Sequence, residues 1–225
     1  MSGFSTRAIR AASRVPRVDQ KSTVVPKYQT APFATEDAEE LAAVLADQIP
    51  GYAYSRLDNP TVVALGEAVA ELEGAEAGFA LATGMAAIHA ALASVLRAGD
   101  RVVLTRASYG STRVMLTGYF ARLGVRTDIV DITDHAALEA ALAAGPARLL
   151  FAETIANPNL VVADIAALAE LAHRHGALLF IDNTFASPYV CRPLEHGADL
   201  VVESATKWLG GHSDVMAGVV AGPGE

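Results

Sequence analysis

An α/β fold, with a mainly parallel sheet covered by helices on both faces and an irregular N-terminal arm, is the architecture this sequence predicts. Three observations carry it. After Gly74, apolar runs near 77–82, 101–105, 125–130, 147–152, 177–181 and 198–203 alternate with helical patterns near 85–98, 111–123, 134–144 and 163–175. The runs are rich in Val, Leu and Ile without polar alternation, which is the pattern of strands buried on both faces. Repetition of strand, helix and strand implies right-handed crossovers and so parallel neighbours. A hydrophobic fraction of 52% against 19% charged supplies apolar surface for a large core and argues against disorder.

Charge and cysteine usage exclude several classes. A net charge of -8 offers no basic footprint to nucleic acid. No apolar run is long enough to span a membrane. Cys191 is the sole cysteine, so no intrachain disulfide can form and a reducing, cytoplasmic setting is expected. The first eighteen residues carry Arg7, Arg10, Arg14 and Arg17 and no acid, faintly like a transit peptide. They lack an amphipathic stripe, so a mobile arm is the preferred reading.

Taken in order, residues 15–50 are irregular, with prolines at 16, 26, 32 and 50. A short helix is expected from Thr35 to about Gln48, with acids at its start to suit the helix dipole. Asn59 before Pro60 reads as a helix cap and first-turn proline. That helix continues through Val62, Leu65, Val69 and Leu72 and stops at Gly74. The arm is therefore taken as 1–59 and the main domain as 60–225. Tyr54 and Arg56, just upstream, would share one side of an extended chain and could hold a phosphate. A plain surface turn fits them as well.

In such a sheet, ligands sit beyond the carboxyl ends of the strands. The first strand ends at Thr83-Gly84-Met85, a glycine corner whose backbone amides can approach an anion at a helix N-terminus. Neither GxGxxG nor GxxxxGK[ST] occurs, which argues against a dinucleotide fold and a P-loop. The second strand leads to Tyr109, able to stack on a flat ligand or merely to pack. The fourth leads to Asn157-Pro158, where the residue before proline is expected to be extended. The fifth ends at Asp182, a carboxylate that needs a partner once it leaves water. His173, His175, His196 and His212 are scattered, so no metal site is expected.

The sixth strand runs into Ser204-Ala205-Thr206-Lys207, and a further apolar run, 215–221, follows. A lysine between two buried strands is unusual, and a desolvated lysine can act as an amine nucleophile. A loop lysine fits the local sequence equally well. Together, an anion corner, a stacking ring, a buried carboxylate and an amine on one rim suit a flat aldehyde cofactor with a phosphate and a ring nitrogen. Pyridoxal phosphate has those features.

Six motifs in order carry a resemblance: Tyr54-Ser55-Arg56 with Asn59-Pro60-Thr61, Thr83 to Ala87, Tyr109 to Thr112, Glu153 to Pro158, Asp182 to Ala186, and Ser204 to Lys207. Gly3 to Ile9 also resembles the opening of the same family. With these the chain resembles the Cys/Met-metabolism (trans-sulfuration) family of pyridoxal-phosphate enzymes, cystathionine γ-synthases and γ-lyases among them. The resemblance implies the fold-type I, aspartate aminotransferase-like large domain. It also implies γ- or β-elimination or replacement on cystathionine, O-acylhomoserine or related sulfur amino acids.

By the same resemblance Lys207 forms the Schiff base and moves protons, and Asp182 pairs with the pyridine nitrogen. Tyr109 stacks on the ring and assists the leaving group. The Gly84 and Met85 amides, with the Ser204 and Thr206 hydroxyls, hold the phosphate. Tyr54 and Arg56 reach a neighbouring subunit's phosphate, which implies a dimer paired into a homotetramer. Asn157 lies near the substrate carboxylate.

Two departures stand out. Ser111 occupies a position where methionine γ-lyases have cysteine, which argues against that activity. Family members also continue well past residue 225, so a missing C-terminal domain, exposed apolar surface and poor stability in isolation are expected. A non-catalytic cofactor-binding fragment or partner subunit is the alternative, and an aminotransferase is the remaining one.

Overall fold

The computed structural model describes residues 22–224. The mobile arm expected over the first eighteen residues, and the opening motif Gly3 to Ile9, lie outside that range. The expected helix in the arm is α1 (Ala38–Leu45), shorter than 35–48 at both ends. Asp37 stops it at the N-terminus by accepting from the Glu40 amide at 2.8 Å, satisfying one orphan donor.

Helix α2 (Pro60–Glu73) begins and ends where its cap signals place it. The Asn59 side chain accepts from Thr61 N–H, and Gly74 closes the helix in the left-handed conformation at φ 72°. The same cap ties down the arm. The Asn59 amide donates to the Tyr28 carbonyl at 2.9 Å, and the Thr61 hydroxyl donates to the Pro26 carbonyl at 2.8 Å.

The repeat that follows is β1 (Ala77–Leu81), α3 (Gly84–Val95), β2 (Arg101–Thr105), and α4 (Gly110–Val114), which runs on as a π-helical segment over Met115–Phe120. Then come β3 (Arg126–Val130), α5 (His135–Ala143), β4 (Leu149–Glu153), α6 (Ile165–Arg174), β5 (Leu178–Asp182), α7 (Ser187–Val190), β6 (Leu200–Glu203) and β7 (Gly218–Gly222). The seven strands form one sheet in the order β1-β7-β6-β5-β4-β2-β3. Strand β7 runs antiparallel to both neighbours, and the other pairings are parallel.

Both faces of the central strands are apolar, and alternate residues feed different cores. Val103, Leu150, Leu179 and Ile181 pack with α5 and α6. Val102, Leu104, Phe151 and Phe180 pack with Ile88 and Leu92 of α3 and Leu116 and Phe120 of the π segment. The expectation of strands buried on both faces holds for β2 and β4, which are buried throughout. It fails for the edges. Strand β3 alternates exposed and covered, and Phe79 of β1 is 69% exposed, because an edge strand has a neighbour on one side only.

Arg101 shows how the frame is fastened. Its guanidinium is almost fully buried, bonded to Asp128 and to the carbonyls of Ala141, Leu142 and Gly145 at the end of α5. Those carbonyls have no partner within the helix, so a fixed cation there satisfies them and opposes the helix dipole. Among the described residues no helix is long and apolar enough to cross a membrane.

Candidate functional site

The parallel strands deliver their carboxyl ends to one rim, and there a cavity of about 380 Å³ opens. Gly84, Met85, Tyr109, Asn157, Asp182, Ser204, Thr206 and Lys207, eight of the ten residues singled out from sequence, line it. Tyr54 and Arg56 do not.

At one end is the start of α3. Thr83 caps it, its hydroxyl accepting from Ala86 N–H at 3.0 Å and its carbonyl from Ala87 N–H at 3.0 Å. Among the described residues the Gly84 and Met85 amides have no acceptor, and the positive end of the helix dipole lies behind them. Glycine is required at 84 by packing: a Cβ there would lie 2.6 Å from the Ser204 Cβ. Gly218 is tighter still, since its Cβ would meet the Thr83 carbonyl oxygen at 2.2 Å. Two chain segments thus approach backbone to backbone beside the anion corner.

The floor carries carboxylates. Asp182 ends β5, and Thr184 N–H donates to its Oδ1 at 3.0 Å. Burial raises its pKa above the usual range, and the Thr184 bonds only partly oppose this. Among the described residues no Lys, Arg or His forms an ion pair with it. Beside it in register, Glu153 ends β4. Its Oε1 accepts from Tyr109 N–H and its Oε2 from Asn157 N–H at 3.0 Å, so one side chain holds the loops after β2 and β4 together. Burial and then the neighbouring Asp182 push Glu153 up to about 7. Sequence reasoning assigned no role to Glu153. The signal was available, because Glu153 closes an apolar strand just as Asp182 does.

One expectation needs correction. Lys207 is exposed, not desolvated: strands β6 and β7 are buried, but the turn between them projects beyond the sheet rim. Tyr54 and Arg56 lie on a turn closed by Leu57 N–H to the Tyr54 carbonyl at 2.9 Å, the surface turn that the sequence also allowed. The Arg56 guanidinium nevertheless stacks 4.9 Å from the centre of the Tyr54 ring. The Thr206 hydroxyl, at the edge of the cavity, donates to the Ala217 carbonyl at 3.2 Å and accepts its N–H at 3.1 Å, so it fastens the β6–β7 loop. The Ser204 backbone is held by its N–H to the Thr184 hydroxyl at 2.8 Å.

An amine on the rim, an unpaired carboxylate on the floor and free helix amides at one end define a site for a flat, phosphorylated aldehyde. Its class is that of pyridoxal-phosphate proteins built on an open α/β sheet. The chain belongs to the Cys/Met metabolism PLP-dependent enzyme family, whose model matches residues 5–225.

Its relatives include both lyases and a sulfhydrylase. It is 47% identical to an L-methionine gamma-lyase of Pseudomonas putida, over 98% of this chain and 55% of that protein. It is 43% identical to an O-succinylhomoserine sulfhydrylase of Pseudomonas aeruginosa, over 99% of this chain and 54% of that one. Among solved structures, the metB protein of Corynebacterium glutamicum superposes with a TM-score of 0.84 at 39% identity, over 99% of this chain and 55% of that one. A Campylobacter jejuni protein assigned as an O-acetylhomoserine (thiol)-lyase, with a pyridoxyl-lysine monophosphate in its chain, superposes at 0.85 and 32% identity, over 92% of this chain and 51% of that one. The chain spans about half the length of these relatives.

Proposed function

We propose that this chain is the cofactor-binding part of a pyridoxal-phosphate-dependent trans-sulfuration enzyme, a carbon–sulfur lyase or transferase. Its substrates would be cystathionine, O-acylhomoserine or a related sulfur amino acid. The observation that carries the reading is the convergence of Lys207, Asp182, Tyr109 and the free Gly84 and Met85 amides on one cavity. Family membership supports it.

When bound, the cofactor supplies an electron sink for the carbanion formed at the substrate α-carbon. The residues of this chain do the rest. Asp182 holds a proton on the ring nitrogen, and that positive partner offsets the cost of its own buried charge. Gly84 and Met85 bind the phosphate through backbone donors that need no reorganisation. Ser204 adds a hydroxyl on the same side, and Thr206 keeps the segment carrying Lys207 against Ala217. Tyr109, in the cavity lining, would cover one face of the ring and assist the leaving group. Lys207 anchors the aldehyde and then carries a proton to and from the substrate carbon. Asn157 orients the substrate carboxylate.

The Tyr54–Arg56 pair lies outside the cavity, which suits a role at a neighbouring subunit's phosphate in a dimer paired into a tetramer. The domains proposed are an arm to residue 59 and a cofactor domain from 60 onward. A cytoplasmic location fits the single cysteine. Ser111 sits exposed near the start of α4, just after Tyr109. A serine in place of cysteine there favours the γ-synthase, γ-lyase and sulfhydrylase chemistries over methionine γ-lyase.

The exposure of Lys207 favours a second reading, a fragment that binds cofactor without turnover. One titration separates the two. Pyridoxal phosphate added to the full chain should give a visible, lysine-linked absorption band that Lys207→Ala abolishes. Keto-acid release from cystathionine or O-acylhomoserine then marks an enzyme, and a band without release marks the fragment. A band that survives in Lys207→Ala overturns the anchor.

A further inference from the structure

Behind the cavity floor lies a second set of acids that the proposed chemistry does not use. Glu73, the last residue of α2, is fully buried, and Glu203, the last of β6, is 2% exposed. The two carboxyl groups are close enough for each to shift the other's pKa. Yet Glu73 Oε2 and Glu203 Oε1 have no conventional donor among the described residues. Two ionised carboxylates cannot face one another in an apolar interior, whereas a single proton between them satisfies both oxygens.

The remaining partners lead to the site. Asn183 is fully buried between Asp182 and Thr184. Its amide donates to Glu73 Oε1 at 2.8 Å and to the Cys191 carbonyl at 2.8 Å, and its Oδ1 accepts from the Thr154 hydroxyl at 2.7 Å. Every polar atom of that side chain is therefore committed. Its own N–H donates to the Val202 carbonyl at 2.9 Å. The network fixes the turn from which Asp182 points into the cavity.

We propose that Glu73 and Glu203 share one proton, and that this buried pair, acting through Asn183, positions Asp182 for the cofactor's ring nitrogen. The shared proton leaves the pair with one negative charge instead of two beside Asp182 and Glu153, while Glu73 still accepts from the Asn183 amide. Glu203 is thus a positioning residue. It lines the cavity wall but needs no contact with substrate.

The groups facing the pair from all sides are consistent with one retained proton. Burial raises Glu203, and the charges of Glu73 and Asp182 raise it further. Burial also raises Glu73, opposed by the bonds from Glu203 and Asn183 and weakly by Arg192, while Glu195 acts in the raising direction. The Arg192 guanidinium is itself bonded to Glu195 at 2.8 Å, and both are half exposed, so it does not neutralise the pair. The Cys191 thiol beside them is raised by burial and then by Glu73 and Glu195.

The linkage to Asp182 rests on the cofactor reading, but the shared proton does not, and the test keeps them apart. Infrared difference spectra of the cofactor-free full chain at pH 8 compare wild type with Glu203→Gln. The expected result is a protonated-carboxyl stretch in wild type that the variant lacks. No such band, or one unchanged in Glu203→Gln, overturns the shared proton.

Cofactor titration then compares Glu203→Gln, which keeps a neutral donor toward Glu73 Oε2, with Glu203→Ala, which leaves that oxygen without one. Glu203→Ala should weaken pyridoxal-phosphate binding by about tenfold or more, with Glu203→Gln within about threefold of wild type. Equal loss in both variants, or no loss in either, overturns the positioning role. If Glu203→Ala does not fold, Glu203→Gln carries the comparison alone, and tenfold weakening there overturns the role. A wild type that binds no cofactor sinks the function proposed above and leaves the infrared result standing.

Discussion

Glu153→Gln is the substitution whose outcome depends most sharply on pH. In the native chain Glu153 accepts from two backbone amides, of Tyr109 and Asn157, and is 5% exposed. Glutamine offers one acceptor oxygen and sets an NH2 group against the other amide, which costs about 1–3 kcal/mol. That cost is independent of pH. The native glutamate behaves differently, because burial and Asp182 lift it from 4.5 to about 7. Its folded value lies above its unfolded value, so the folded state binds the proton more tightly, and stability falls as pH rises from 4.5 through 7.

At about 1.4 kcal/mol per pH unit, that interval amounts to about 3 kcal/mol lost by the wild type and not by the variant. Urea unfolding of the cofactor-free chain, followed by circular dichroism, should therefore show the variant less stable by about 1–3 kcal/mol at pH 5. At pH 8.5 the gap should close or reverse. Asp182 and Glu203 titrate in both proteins and largely cancel in the comparison. A difference that stays constant within about 0.5 kcal/mol across the range would refute the argument.

Other substitutions test the frame and the site separately. Gly218→Ala should lower stability by about 2–3 kcal/mol in the same urea experiment, since the new methyl meets the Thr83 backbone rather than a side chain that can turn away. Arg101→Ala should cost about 3–5 kcal/mol, because it strips the α5 carbonyls and Asp128 of a buried cation; a loss under 1 kcal/mol would show that water replaces it. Arg56→Ala removes an exposed stacking contact and should change unfolding free energy by no more than about 1 kcal/mol. If the pair reaches a neighbour's phosphate, the same variant should still weaken cofactor binding, and unchanged affinity would remove it from the site.

Most of the frame could be read from the sequence because each strand and helix announces itself locally. The Asn59–Pro60 start and Gly74 stop placed α2 to the residue, and the apolar runs placed all seven strands. Sheet order was not local. Nothing near 215–221 says that this run reverses direction and lies between β1 and β6, since that is decided by the length of the β6–β7 turn and by the Gly218 approach to Thr83. Edge exposure of β1 and β3 followed from that order and was misread with it.

At the site, residues next to a strand end could be found one at a time, whereas groups acting across strands could not. Asp182 was legible as a charge after an apolar strand. Glu153 and Glu203 carry the same signal, but their partners Tyr109, Asn157 and Glu73 come from distant segments. Lys207 was picked out correctly as a rim residue and wrongly as a desolvated one, because burial of flanking strands says little about a turn that projects past them.

The place of β7 has a consequence for the order in which the molecule assembles. Strand β1 has no partner in the sheet except β7, with Ala77 opposite Gly222 and Leu81 opposite Gly218. Of the seven strands, the first to leave the ribosome must therefore wait for the seventh before it can pair. Helix α2, packed on β1 and on Val219, waits with it. Strands β2 to β6 can close their parallel pairings sooner, across shorter stretches of chain. Until residue 222 emerges, the Gly84 corner has no Gly218 backbone against it and Glu203 lacks the α2 glutamate beside it. The anion corner of the site and the acid pair behind its floor are thus completed in one late step.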